Sequence, residues 1–349
     1  MSEHTTFVRT VVVTSLLMAC SATAIQDTGT TTEPPPHDNV GTNGPGKDLK
    51  GASVLFYNVE NLFDTQDDPA IDDEDFLPSS EMQWSVERFT TKLDRLAEAI
   101  SMAGDELPVL VGMAEVENEA VVSALASQRR LAKADYAVVH FDSPDERGID
   151  VALMYAAGRF ELVRSEALNV PLPEDDRTRD ILHAELGAGG ATYHVFVNHW
   201  PSRREGKEKS EPKRMAAAKV LNDAVAKIRT GPGVHIIIMG DFNDQPTDRS
   251  IREGLGAACD PMEQGLVDLM CVDQREGAGS YQHDGKWQYL DQFIVDAALA
   301  GEVTSASALR NERLLFDHPK YGPSPDKTYS GGHYKGGYSD HLPIVMRFK

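Results

Sequence analysis

Apolar residues in this chain gather in short runs, divided by polar turns, and the runs are the length of strands. Residues 53–57, 108–114, 136–141, 149–155, 181–186, 192–197, 234–238 and 344–348 are rich in Val, Ile, Leu and Phe and predict β-strands. A charged turn at 143–148 joins one neighbouring pair and a Gly-rich turn at 187–190 another. Tyr281 and residues 287–295 read as a hairpin-like pair. Helical spacing is rarer. Val86, Phe89, Leu93, Leu96 and Ile100 make one stripe across residues 85–102, closed by Gly104. Asn118 caps a second helix, with Glu119 in its first turn. Pro212 opens a third that runs to Thr230 and stops at Gly231. Residues 249–271 read as mixed helix and loop. Strands outnumber helices and no repeat is visible, so the pattern predicts two packed sheets with helices outside, an α/β sandwich in one domain.

The polar residues that end these strands repeat a theme. Residues 234–244, VHIIIMGDFND, form a strand buried on both faces and deliver Asp241, Asn243 and Asp244 at its mouth. Carboxylates in such a place are costly unless paired or bound to a cation. Taken alone this reads better as a strand followed by an Asp/Asn-rich turn. Four other strand ends reverse that balance. The first strand delivers Asn58, Glu60, Asn61 and Asp64. The second delivers Glu115. Asn198, His199, Trp200, Ser202, Arg203 and Arg204 follow another, and Asp340-His341 precede the last. Two arginines and a serine in one turn suit a phosphate-facing surface. Arg214 is either solvated or turned toward the same cleft. The acidic loop 67–75 lacks the glycine and ligand spacing of an EF-hand and reads as solvated.

Composition narrows the setting. The 349 residues are 41% hydrophobic and carry a formal charge of −21, which stays unchanged if residues 1–19 are removed, because Glu3 and Arg9 cancel. Such acidity opposes tight non-specific binding to nucleic acid but permits hydrolysis of a polyanion at a site neutralised by cations. Residues 1–19 read as a signal peptide. Arg9 precedes an apolar run too short to span a bilayer, and Leu17-Met18-Ala19-Cys20 resembles a bacterial lipobox. A plain signal peptide cut near Ala22 or Ala24 is the other reading. Residues 20–49 are a disordered tether, and 50–349 the catalytic domain. The expectation is an exported protein, either an envelope lipoprotein that touches membrane only through a lipid on Cys20, or secreted. Cys259 and Cys271 are then an even pair, forming either a disulfide or two buried thiols.

Six motifs resemble the endonuclease/exonuclease/phosphatase superfamily: Asn58-Val59-Glu60-Asn61, Met113-Ala114-Glu115-Val116-Glu117, Asn198-His199-Trp200, Gly240-Asp241-Phe242-Asn243, Leu290-Asp291 and Ser339-Asp340-His341. They stand in the family's order. The resemblance implies a four-layer α/β/β/α sandwich of two mixed sheets. It also implies Glu115 as the principal metal ligand, with Asn58, Glu60 and Asp340 as further ligands. Asp241 would handle the attacking water. Asn58, Asn243 and Arg203 would face the phosphate. His341 would be the catalytic histidine, oriented by Asp291, and His199 a second histidine, for which Asp150 is the candidate carboxylate partner. Two departures from the family's pattern are Gln292 after Asp291, where many relatives have His, and His199-Trp200 in place of Thr-His.

The implied chemistry suits these residue types. Oxygen ligands favour Mg²⁺, with Mn²⁺ or Ca²⁺ as substitutes. A phosphodiester repels hydroxide, so a cation and placed donors are needed. The expected function is metal-dependent phosphodiester hydrolysis, by a nuclease acting on DNA or RNA. Alternatives are a phosphatase, a phospholipase C-like hydrolase resembling sphingomyelinases, or a catalytically silent binding protein. No obligate protein partner is inferred.

Overall fold

The computed structural model describes residues 49–173, 176–228, 231–260 and 265–349, all within one compact unit, Asn43–Lys349. The expected signal peptide and nearly all of the tether lie outside the described residues. Thirteen strands build two sheets. They are β1 (Ser53–Leu62), β2 (Leu110–Val116), β3 (Tyr136–His140), β4 (Asp150–Ala156), β5 (Glu161–Leu168), β6 (Ile181–Ala188) and β7 (Ala191–His199). The chain continues with β8 (Val234–Asp241), β9 (Ala257–Ala258), β10 (Leu266–Asp268), β11 (Asp291–Asp296), β12 (Val303–Ala308) and β13 (Ile344–Phe348). The first sheet has the order β12-β13-β1-β2-β4-β3 and the second β5-β6-β7-β8-β11-β10-β9. Each is mixed. The central neighbours β1 and β2 run parallel, as do β7 and β8.

The alternation along β8 shows how the layers form. Ile237 and Met239 join the core between the sheets, while Ile236 and Ile238 join a second core on the outer face. All four are at most 3% exposed. Burying a side chain of this size stabilises by about 1.5–3 kcal/mol, which anchors a strand whose last residue is an aspartate. The sheets approach closely where Gly112 faces Met239; a Cβ there would collide with the thioether and crowd Phe56.

Helices α1 (Val86–Ser101) and α2 (Glu119–Ala126) pack outside the first sheet, and α3 (Lys207–Val225) outside the second. The architecture is the four-layer sandwich expected. Ser85 caps α1 through Arg88 N–H, and Asn118 caps α2 through Val121 N–H. Leu93, Leu96 and Ile100 are buried as the stripe implied, but Val86, in the open first turn, is 64% exposed.

Three expectations are corrected. Helix α3 begins at Lys207, with Pro212 inside it rather than at its start. Pro212 sits near enough to the N-terminus that the missing N–H deprives only the carbonyl of Glu208 of a bond. Residues 287–295 are not one strand. Lys286–Gln288 pairs with Tyr281–His283 as a separate hairpin, and β11 starts anew at Asp291. β5, β9, β10 and β12 are absent from the expected set: β5 and β12 are polar, half-exposed edge strands with little apolar signal, and β9 and β10, two and three residues long, fall in the stretch 249–271 read as helix and loop. Cys259 and Cys271 form a disulfide, with their Cα atoms 5.5 Å apart.

Candidate active site

The C-terminal ends of the two parallel pairs open at the same rim. His199 ends β7 and Asp241 ends β8, side by side in register, and Asp291 begins β11 opposite Asp241. From the other sheet come Asn58 and Glu115. The pairing slips there: Ala114 faces Val151 and Val116 faces Asp150, so Glu115 is an extra residue. β1 slips over the same stretch, between Asn58 and Leu62. Such bulges re-aim side chains. Glu60, Asn61, Glu115 and Asn243 all have positive φ, between 51° and 66°, a conformation that costs non-glycine residues about 1–2 kcal/mol each. The strain is concentrated at this rim.

The cleft has a volume of about 460 Å³ and is lined by Glu115, Arg147, His199, Ser202, Arg203, Arg204, Asp241, Asn243, Tyr281, Asp340 and His341, among others. At its floor, Asp241 Oδ2 accepts from Asn58 Nδ2 at 3.1 Å. It lies 3.7 Å from His199 Nε2 and 3.9 Å from His341 Nε2, beyond hydrogen-bond range. Asp241 Oδ1 accepts the Asn243 N–H at 2.9 Å. His341 Nδ1 meets Asp291 Oδ2 at 2.7 Å. Ser339 holds this turn by donating its hydroxyl to Asn58 O, while its oxygen accepts the His341 N–H. The Tyr281 ring lies against the His341 ring, centroids 4.8 Å apart.

Electrostatics divides the titratable groups. Burial opposes charge on His341, yet Asp291, Asp241 and Asp340 outweigh it and hold the imidazolium well above the ordinary histidine range. His199 goes the other way: burial first, then Arg179, Arg147, His341 and Arg204, push it well below. Burial raises Asp241 to about 6 despite His341. Titratable neighbours whose values are driven apart are the arrangement that acid–base chemistry uses.

Several expected site residues have tasks of their own. Asn58 turns its carbonyl oxygen to the Glu60 N–H at 3.1 Å, and its amide bridges Asp241 and Glu115, the latter at 3.4 Å. The amide thereby steers the two carboxylates. Glu60 accepts the Thr328 N–H at 2.7 Å; burial, then Asp340, raises it to about 7. Arg203 is engaged by Asp244, Asp248 and Gln288 at 2.9–3.0 Å. Asp150 is not the partner of His199: its carboxylate takes His140 Nε2 at 3.0 Å and the Ser143 N–H at 2.9 Å. His199 Nδ1 is buried without a partner. Arg214 is wholly buried, bound to Asp244.

Two buried cationic residues behind the site went unnoticed in the sequence. Arg179 is buried and donates to the carbonyls of His199 and Trp200, fixing that turn. Lys92, on α1, is 1% exposed and donates to Thr328 Oγ1 and to Tyr338 O at 2.8 Å, behind Glu60 and Asp340. Burial lowers it to about 8, with Glu60, Asp340 and Glu115 opposing. Arg179 carries no helical or strand-period signal. Lys92 stands one position from Leu93 in the α1 stripe, which was its only clue.

The donor set fits a hard divalent cation. Glu115 and Asp340 line the cleft as carboxylates, with Glu60 beside Asp340, and no sulfur is present. No hydrogen bond or ion pair holds the Asp340 carboxylate among the described residues, which leaves its oxygens available. Asp241, Asp291 and His341 also bring ligand-type atoms within 4.8 Å of one another, but their mutual pairing already uses His341 Nδ1.

A sequence model of the Endonuclease/Exonuclease/phosphatase family matches residues 53–349. The chain belongs to this family of divalent-metal-dependent hydrolases of phosphoester bonds. A search among curated protein sequences finds no match. Solved structures with the same fold include D. rerio TDP2 complexed with a single-strand DNA product (16% identity, TM-score 0.53, 85% of this chain and 98% of that chain). Another is the Bacteroides thetaiotaomicron mannosyl-6-phosphatase (15%, 0.54, 85% and 99%). A third is the human Nocturnin catalytic domain with bound sulfate (18%, 0.50, 87% and 97%).

Proposed function

We propose that this chain is an exported phosphodiesterase that cleaves nucleic acid, using Mg²⁺ or a similar ion held by Glu115, Asp340 and Glu60. A cation bound there would offset negative charge on a non-bridging phosphate oxygen. The protein's own groups do the rest. Asp241, with a value about 6, is ionised at neutral pH and takes the proton of the attacking water as its oxygen bonds to phosphorus. His341, protonated and braced by Asp291, gives its Nε2 proton to the departing oxygen. His199 stands between Asp241 and Glu115, 3.7 Å and 3.9 Å from their carboxylates, and burial, which opposes its protonation, makes it a poor proton acceptor. Asn58 orients both carboxylates, and Asn243 lines the phosphate pocket. Among the described residues no Ser, Cys or Tyr stands as a nucleophile beside a base in the cleft, which favours direct attack by water. The apolar run after Arg9 and the lipobox-like Leu17-Met18-Ala19-Cys20 support an envelope or secreted location.

The single observation that carries this reading is the convergence of Asp241 Oδ2 with Asn58, His199 and His341 in a cleft that also holds Glu115 and Asp340. The similarity in fold to a mannosyl-6-phosphatase, together with the acidic surface, supports a second reading, hydrolysis of a small phosphomonoester. Purified protein without residues 1–47 is incubated with plasmid DNA, RNA, sphingomyelin, mannose 6-phosphate and bis-p-nitrophenyl phosphate, in Mg²⁺ and in EDTA. Metal-dependent nicking that His341→Ala abolishes supports the nuclease. Release of phosphate or choline phosphate without nicking overturns it.

A further inference from the structure

The cleft carries charges of both signs. Glu115, Asp241 and Asp340 line it together with Arg147, Arg203 and Arg204, and Arg147 and Arg204 both act on His199 electrostatically. These arginines are not equivalent. Arg203 is consumed by Asp244 and Asp248. Among the described residues Arg147 pairs only with Asp145, at 3.5 Å, and that carboxylate gives its other oxygen to buried Arg179 at 2.9 Å. Arg204 is exposed and has no ion pair among the described residues. In a chain of net charge −21, a guanidinium facing a cleft would ordinarily find a carboxylate. Two that have none, or only a shared one, create a local positive field suited to an external anion that offers paired acceptor oxygens, as a phosphate does. The phosphate being hydrolysed has His341, Asn243 and the carboxylate-bound cation, so the arginines are surplus to it.

Resting on the nuclease reading above, we propose that Arg147 and Arg204 form a subsite for a second phosphate of the substrate, next to the one cleaved. The substrate class is then a phosphodiester flanked by another phosphate, as in an oligonucleotide. An isolated phosphoester would leave the pair unused, and a choline head group would bring a cation to a cationic wall.

The test separates binding from turnover. Binding of thymidine 3′,5′-bisphosphate, thymidine 5′-monophosphate and thymidine 3′-monophosphate is measured by calorimetry in Mg²⁺. Hydrolysis of p-nitrophenyl thymidine 5′-phosphate is followed with and without a 3′-phosphate. The wild type should prefer the doubly phosphorylated member of each set by about tenfold or more. Arg147→Ala/Arg204→Ala should bring the ratio near one, and Arg147→Lys/Arg204→Lys should restore part of it. Circular dichroism and urea titration establish that both variants are folded; Arg204→Ala alone, at an exposed position, should lower the ratio if the double variant does not fold. Turnover without preference overturns the subsite and leaves the hydrolase reading standing. Preference in binding without turnover of either ester does the reverse. A preference that survives the double substitution overturns the subsite outright.

Discussion

Replacing Asp291 by Asn should move the pH dependence of catalysis in a way that no purely structural role for Asp291 would. The two side chains have the same size, and Asn retains an acceptor for His341 Nδ1. What disappears is a buried negative charge 2.7 Å from the ring. An opposite charge this close is worth about 1–3 pKa units, or about 1.4–4 kcal/mol. Burial, which opposes charge on His341, is left with only Asp241 and Asp340 against it. If the variant imidazolium fell just to the ordinary histidine value of about 6.5, about one molecule in thirty would hold the proton at pH 8. The sign follows from the role: His341 donates, so activity is present below its pKa and lost as pH rises through it. Asp291→Asn should therefore pull the basic limb of the kcat/KM profile to lower pH, with a loss at pH 8 of about 8-fold for a one-unit shift and about 30-fold for a three-unit shift, and a much smaller loss near pH 5.5. Stopped assays with bis-p-nitrophenyl phosphate between pH 5 and 9 read this directly. An unchanged basic limb, or an equal loss at every pH, would refute the assignment of His341 as the proton donor.

Three further outcomes are expected. Asp268 is fully buried, and burial raises it to about 7, with the Met270 N–H and Arg252 opposing. A raised carboxylate keeps its proton in the folded state, so its contribution is fully present below about pH 4 and lost as pH rises to 7, by up to about 4 kcal/mol. Asp268→Asn should gain stability relative to wild type between pH 4.5 and 7.5 in urea titrations, and a pH-independent difference would contradict this. Lys92→Met removes the buried donor to Thr328 and Tyr338 and should lower stability by about 1–3 kcal/mol; a change below about 0.5 kcal/mol would mean the ammonium is idle. Arg203→Ala should also destabilise, by about 1–3 kcal/mol, because Asp244 and Asp248 lose a shared guanidinium, whereas loss of activity at unchanged stability would return Arg203 to a phosphate-binding role.

The elements that sequence revealed are those whose burial is two-sided. β1, β2, β7 and β8 are near-continuous apolar runs, and the polar residues at their ends were conspicuous because so little polarity precedes them. The same contrast marked Glu115, His199, Asp241 and His341. What sequence could not carry was aim. Whether Asn58 presents its oxygen or its amide depends on a slipped register and on φ values near +50° to +66° at Glu60, Asn61 and Glu115, and no spacing rule encodes these. Arg203 looked available because Asp244 and Asp248, which hold it, are more than forty positions away. Edge strands such as β5 bury too little for an apolar period to appear, and the hairpin at Tyr281 was legible but not the break between its second strand and β11.

The central claim is that Glu115 and its neighbours hold one divalent cation beside Asp241 and His341. Binding of Mn²⁺ followed by electron paramagnetic resonance tests it without requiring turnover. The account predicts saturable binding in the wild type and affinity at least about tenfold weaker in Glu115→Gln, with the fold intact. Equal affinity in the two proteins would contradict it.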